Sequence, residues 1–372
     1  MHSKKKPIVQ EENLIKTYSK KQQKIVKKYL NVIKYKGKGF SCSQVSSLTH
    51  AKINNVHRWL CKNARPYPIR TIEKCKVLNW LPLYPSPELA RLIGLNMGDG
   101  SIQTCFGHTF FCSKSKDIMD DLNDFLFQHF GVIGSVTEAG LMKSEHLLQI
   151  GDTAFTRLLH NAGCPKGEKV NQSFKTPAWI MNPQSYGCND KESREIQLAF
   201  LQGLNDSETT KFSLRNNSKM ALEEIKFEIY THVFPRQLKF IEQLQKLFIN
   251  FSIKSVIYYD WRKDKQSWRI GLRIKELPNV IRFLFDVGFF FNKDRMNVSL
   301  NNCHEVCNRR SKNIEKCIIA MKMIDNGLSY GKVSQILKIP ASTIFGWKSV
   351  GKRPLYFGRK EELQELFKRF NV

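Results

Sequence analysis

The chain has 372 residues, 41% of them hydrophobic, enough to bury a sizeable core and to build more than one domain. Its net charge is +27 and its pI about 9.7, a balance that suits a polyanionic partner and makes binding strongly salt-dependent. The sequence lacks a bilayer-length apolar run, a signal-like apolar stretch behind Met1, and a basic amphipathic helix with a strong apolar face, so neither secretion nor a membrane partner is expected.

Ten scattered cysteines read as reduced thiols of an intracellular protein, cytoplasmic or associated with nucleoid or organellar DNA. Cys303, His304, Cys307 and Cys317 lack a second close pair at zinc-site spacing and are read as unliganded.

Residues 1–38 carry 12 Lys/Arg against 2 acids. Within them the spacing of Leu14, Tyr18, Ile25, Tyr29 and Val32 predicts one helix over Asn13–Ile33. Gly39 to Trp59 then aligns without a gap on Gly327 to Trp347, at an offset of 288. Ser41 matches Ser329, Val45 matches Val333, Ser46 matches Ser334 and Val56 matches Ile344. Each copy reads as helix, turn, helix, similar to a module whose second helix enters a major groove. Asn54, His57 and Arg58 in one copy and Thr343, Lys348 and Lys352 in the other are the candidate DNA-facing residues.

Pro82, Pro85 and Pro87 separate the first module from a second duplication. Leu89–Gly100 aligns on Leu198–Thr209 at an offset of 109. Small residues recur every four positions at Ala90, Gly94 and Gly98 and again at Ala199, Gly203 and Ser207. That spacing places them on one helix face, where two backbones can approach. An acid closes each copy, Asp99 and Glu208, and two carboxylates at a close helix contact are a natural seat for a divalent metal.

After Asp99, alternation predicts strands at Ser101–Phe106 and Thr109–Ser113, and the 3.6-residue period a helix over Asp117–Phe130. Strands at Val132–Ala139 and His146–Ile150 and a helix at Thr153–Ala162 complete the half. The second half repeats the order, with strands at Thr210–Leu214 and Ile225–Thr231, a helix at Pro235–Phe248, strands at Ile253–Trp261 and Ser267–Ile274, and a helix at Leu277–Val287.

With motif, duplication and following strands in place, the chain resembles the LAGLIDADG homing endonucleases in their single-chain, two-motif form. The nonapeptides are Leu92–Gly100 and Leu201–Thr209, and the likeness extends to the connector Gly163-Cys-Pro-Lys-Gly-Glu-Lys and to Pro177-Ala-Trp-Ile. The resemblance implies an α+β fold: a duplicated α-β-β-α-β-β-α core with pseudo-twofold symmetry, plus small all-α modules at both ends. The expected division is a basic segment (1–38), a helix-turn-helix-like module (39–84), a first half (85–175), a second half (176–300) and a C-terminal module (312–372).

By the same resemblance, Asp99 and Glu208 hold Mg2+ or another divalent cation such as Mn2+ against the scissile phosphates of double-stranded DNA. Lys114 matches a lysine the family often places near the catalytic centre, and His232 takes that position in the second half, a departure. Base readout is expected from Gln103, Thr104, Lys211, Ser213, Arg215, Tyr259, Arg262, Arg269 and Arg273. The ninth motif position is Gly100 in one copy but Thr209 in the other, which restricts the backbone and implies a slow or lost second centre. The reading is a monomeric, site-specific double-strand endonuclease of intron or intein mobility, with an intact intein disfavoured by the residues at Met1 and Val372. The alternatives are a non-cleaving DNA-binding regulator and a maturase acting on intron RNA.

Overall fold

The computed structural model describes residues 5–139, 144–209, 214–215, 219–220 and 223–354, with isolated positions between 358 and 369. The described chain is a mixture of helices and antiparallel sheets, and none of its helices is long and apolar enough to cross a membrane. Its contacts divide it into two units. One comprises residues 1–208, 227–247 and 259–270; the other comprises 209–226, 248–258 and 271–372.

The first unit opens with two helices where the sequence predicts one, α1 (Glu11–Lys16) and α2 (Lys20–Lys36). The break follows from Ser19, whose side chain caps α2 while Gln22 reaches back to the Ser19 backbone. Tyr18, freed from the helix, lies under the buried Arg157 guanidinium at 3.9 Å, with Phe106 also 4.4 Å from that group. Arg157 Nη1 donates to the Thr17 carbonyl at 2.9 Å and to Thr17 Oγ1 at 2.8 Å, tying this segment down. Helices α3 (Cys42–Thr49), α4 (Ile53–Leu60) and α5 (Tyr67–Val77) follow. Val32, Val45, Ala51 and Val56 form a small core shared by α2, α3 and α4.

Helix α6 (Pro87–Met97) starts on Ser86, whose hydroxyl accepts from the Leu89 N–H at 3.2 Å. Then come β1 (Gly100–Ile102), β2 (Thr109–Ser113), α7 (Lys116–Phe130), β3 (Ser135–Ala139), β4 (Glu145–Ile150) and α8 (Thr153–Ala162). The four strands form one antiparallel sheet in the order β1-β2-β4-β3. Thr109 pairs with Ile150 and Phe111 with Leu148, and all four are buried, which fixes the core face of the sheet.

Two strands of this sheet are shorter than their patterns predict. Beyond Ile102 the chain turns, since the Phe106 N–H bonds to the Gln103 carbonyl and Phe106 takes a left-handed φ of 62°. Residues 132–134 are held by α7 instead of the ladder, the Asn123 amide bonding both the N–H and the carbonyl of Gly134 at 2.8 and 3.2 Å.

A short helix α9 (Ala178–Met181) leads to α10 (Asp190–Glu208), capped reciprocally by Asn189 and Glu192. Next come the strand pair β5 (Leu214–Arg215) and β6 (Lys219–Met220), then β7 (Glu223–Tyr230), α11 (Phe234–Asn250), β8 (Val256–Arg262) and β9 (Ser267–Ile274). The last three strands form a sheet in the order β7-β9-β8. The strand expected at Thr210–Leu214 lies mostly outside the described residues.

In the second unit α12 (Leu277–Arg282) runs into a π-helical turn over Phe283–Val287. Helix α13 (Lys293–Asp325) then continues unbroken for 33 residues, carrying Cys303, His304, Cys307 and Cys317, and α14 (Tyr330–Leu337) and α15 (Ala341–Lys348) close the described chain. Ala320, Val333 and Ile344 make a core at the end of α13 that matches the α2–α4 core position for position at the offset of 288. The turns agree as well. His50 and Lys338 both take left-handed φ values, 50° and 52°, and Ser46 Oγ and Ser334 Oγ each donate to a turn carbonyl at 2.7 Å.

Candidate active site

The two small-residue helices meet backbone to backbone. A Cβ built on Gly94 would stand 2.2 Å from the Phe200 carbonyl oxygen, and one on Gly203 would stand 2.1 Å from the Arg91 carbonyl oxygen. No side chain fits at either crossing point, so the recurrence of glycine is a packing requirement. Ala90 and Ala199, four residues before these glycines, are buried as well. Arg91 spans the seam, donating to Gln202 Oε1 at 2.8 Å; burial pulls its guanidinium down to about 10, against the opposing charges of Asp206 and Glu88.

At the end of the seam a Cβ on Gly98 would lie 1.8 Å from Ser207 Oγ and 3.0 Å from Glu208 Cγ. The last turns of α6 and α10 therefore stand side by side, with Asp99 exposed just beyond α6 and Glu208 half-buried as the last residue of α10. Asn96 and Asn205, identical in the two motifs, are fully buried nearby. The next position differs between the copies. A Cβ on Gly100 would meet the Asn96 backbone at 2.5 Å, whereas Thr209 is accommodated, buried and bridged to Ile225, with its carbonyl accepting from Arg295 at 2.5 Å.

Lys169 reaches this place from a short 3-10 turn over Lys169–Asn171. Its ammonium donates to the Asn96 and Met97 carbonyls at 3.1 Å each and to the Gly98 carbonyl, covering the open end of α6. Burial draws its pKa below the usual 10.5, while Glu208 and Asp99 pull the other way. Cys112, on β2, sits near Asp99 and donates to Glu145 Oε2 at 3.4 Å; burial and these two carboxylates push its thiol up to about 11. In the sequence Lys169 stands within the connector and carries no sign of this role, because nothing local ties it to a motif about 70 residues upstream.

Lys114 is exposed in the bend after β2. His232 is exposed in the turn before α11, its ring parallel to Tyr230 with centroids 6.3 Å apart. Gln103 and Thr104 lie in a turn, and Gln103 Oε1 is 3.1 Å from His108 Nδ1. Arg262 and Arg269 are ion-paired, and the Arg273 guanidinium stands 3.9 Å over the Tyr258 ring. Arg58 is exposed on α4, whereas Lys348 on α15 is paired with Asp325. Lys211 and Ser213 lie outside the described residues, and of Arg215 only the backbone is described.

Two carboxylates with no third His, Cys, Asp or Glu ligand among the described residues make an incomplete cage. That donor set fits a hard, oxygen-seeking ion such as Mg2+, which commonly takes one or two carboxylates and completes its shell with water and substrate phosphates.

No family model matches the chain. Among curated proteins, it is 23% identical over 224 residues to the tRNA-splicing ligase RtcB of Methanopyrus kandleri, covering 56% of this chain and 21% of that protein. It is 21% identical over 243 residues to RtcB of Pyrococcus furiosus, covering 60% and 24%. It is also 23% identical over 243 residues to the replication factor C small subunit of Methanocaldococcus jannaschii, covering 61% and 12%. The chain thus spans a quarter or less of the length of these relatives. Among solved structures, the homing endonuclease I-DmoI in complex with DNA and Mn is 16% identical, with a TM-score of 0.34 over 54% of this chain and 96% of that one. Full-length DUF199/WhiA from Thermatoga maritima is 14% identical, with a TM-score of 0.34 over 80% and 96%.

Proposed function

We propose that the chain is a site-specific, metal-dependent DNA endonuclease of the LAGLIDADG type. The observation that carries this reading is the contact of the α6 and α10 ends, Gly98 lying against Ser207 and Glu208, with Asp99 the next residue after Gly98. A close helix pair needs no carboxylate at either end to be stable; two of them, beside a half-buried lysine in a chain of net charge +27, suit phosphodiester chemistry on a polyanion.

Asp99 and Glu208 would hold the divalent ion. Bound there, it would activate a water and stabilise the oxygen that leaves phosphorus. Lys169 stiffens the C-terminal end of α6, and so fixes where Asp99 projects, while its positive charge lets two carboxylates stand close together. The sheet residues and the basic surface bind duplex DNA. The helix pairs α3–α4 and α14–α15 act as helix-turn-helix modules, with Asn54, His57 and Arg58 presented by α4.

The relatives bear on the choice between nuclease and RNA ligase. The matched stretch makes up 21–24% of two tRNA-splicing ligases and 12% of a replication factor C subunit, so most of the length of each of these proteins lies outside the likeness. That distribution suits a mobile element better than a ligase domain.

The test is cleavage of a plasmid pool carrying long randomised inserts, in the presence of Mg2+. The wild type is expected to linearise a subset of the pool, and Asp99→Asn and Glu208→Gln to leave it uncut. Equal cutting by all three proteins sinks the mechanism, and protection of a site without cleavage points to a regulator. Stimulated splicing of an intron RNA by the double acid variant points to a maturase.

A further inference from the structure

One face of the three-stranded sheet carries a closed network of charges. Glu228 on β7 accepts from Lys265 Nζ at 3.1 Å and lies 3.5 Å from Arg262 Nη1 and 3.9 Å from Arg269 Nη2. Arg269, on the central strand β9, is also 3.8 Å from Asp260 on β8. Arg262 is gripped by Asp264 through two bonds, from Nε at 2.9 Å and Nη2 at 2.6 Å.

These residues share a face. The neighbours of Asp260 on β8, Tyr259 and Trp261, point the other way. Tyr259 packs edge-on against Phe234, the first residue of α11, at 5.5 Å, and Trp261 against Trp268 at 5.4 Å. Tyr259 therefore does not share a surface with Arg262 and Arg269, and the network lies on the face turned from the start of α11. Both arginine side chains are 26% exposed, neither buried nor loose.

Three cations, Arg262, Lys265 and Arg269, stand among three carboxylates, Glu228, Asp260 and Asp264. The patch is neutral within a chain of net charge +27. A cation ringed by carboxylates gains little from a phosphate, because the same carboxylates repel it. What it keeps is direction: a guanidinium fork held in one plane matches the paired acceptors of a guanine edge, and a freed carboxylate oxygen can accept from a cytosine amino group.

We infer that Glu228 is a positioning residue that makes Arg262 and Arg269 readers of base edges and keeps them off the phosphates, so that it sets sequence discrimination more than affinity. This rests on the duplex-binding reading above. Other Lys and Arg side chains supply the non-specific attraction, and this patch supplies selectivity.

The test uses the full chain with a chelator present to prevent cleavage. Duplexes are selected from a randomised pool, and the enriched duplex and a scrambled one are compared by fluorescence anisotropy across a salt series. The variants are Glu228→Gln and, in the exposed turn, Asp264→Asn, which frees Arg262 without touching a strand. Glu228→Gln should lower the ratio of enriched to scrambled affinity about tenfold, mainly by tightening scrambled binding, and steepen the log–log salt slope by about one. Asp264→Asn should move both quantities the same way by less. A wild type that discriminates, with both variants keeping its ratio and slope, overturns the inference and leaves duplex binding standing. Equal loss of affinity for both duplexes makes Glu228 merely structural and overturns it too. A wild type that binds no duplex overturns the underlying reading.

Discussion

Replacing Gly94 by alanine puts the helix seam to a direct test. The added Cβ would lie 2.2 Å from the Phe200 carbonyl oxygen and 2.9 Å from the Leu204 nitrogen, where ordinary contact begins at 3.4 Å. Both neighbours are backbone, so neither can rotate aside, and α6 and α10 must part by about 1 Å. Such a gap forfeits a quarter to a half of each dispersion contact across the seam, and overpacking of this kind typically costs about 1–3 kcal/mol. Alanine returns about 1 kcal/mol of helix propensity. With backbone on both sides the upper end applies, giving a net loss of about 2 kcal/mol and a fall in Tm of roughly 4–8 °C for a unit of this size. Gly203→Ala should behave alike, and the double variant should lose less than the sum, since both substitutions open one crossing. Parting the helices also displaces Asp99 from Glu208, and a 1 Å misplacement of reacting groups is worth about 100-fold in rate. Thermal unfolding with native-state hydrogen exchange over α6 and α10 reads the first effect, and cleavage of a selected site the second. A Gly94→Ala protein as stable and as active as the wild type refutes the close crossing.

Gly331, in α14, offers the converse, because a Cβ there meets nothing within 4 Å; Gly331→Ala should raise stability by about 0.5–1 kcal/mol in urea unfolding. Lys169→Met should abolish cleavage while leaving the chain folded, as circular dichroism and a cleavage assay would show. Its stability should also change with pH in a set direction. Lys169 is held below its usual 10.5 in the folded chain, so the unfolded chain binds the proton more tightly across that window. The wild type should therefore gain on Lys169→Met as pH rises toward 10.5, and a stability difference independent of pH would contradict the burial assigned to the ammonium.

The seam was legible because packing left its mark at fixed spacing. Gly94 and Gly203 fall where two backbones touch, and helix α8 has the bounds its capping Asp152 and its Gly163 predict. The break at Thr17–Ser19 has a sequence mark, Ser19 followed three residues later by Gln22, which the apolar period running through it conceals. The shortening of β1 was not legible, since the left-handed Phe106 is held by its packing against Arg157, a partner 51 residues away. Lys169 was missed for the same reason. Its role depends on carbonyls of α6 that only tertiary structure brings within reach. The ion pairing of Arg262 and Arg269 was hidden too, because strand alternation tells which residues share a face but not which carboxylate waits across the sheet.

Arg157 bears on how this molecule can be engineered. Its guanidinium is buried with the Thr17 carbonyl and the Tyr18 ring as partners. A miniaturised derivative beginning at residue 20 would strand a permanent cation without those partners, a penalty of several kcal/mol. The segment ahead of α2 is thus a fastening that cannot be trimmed as a dispensable tail, and any fusion should be joined ahead of it.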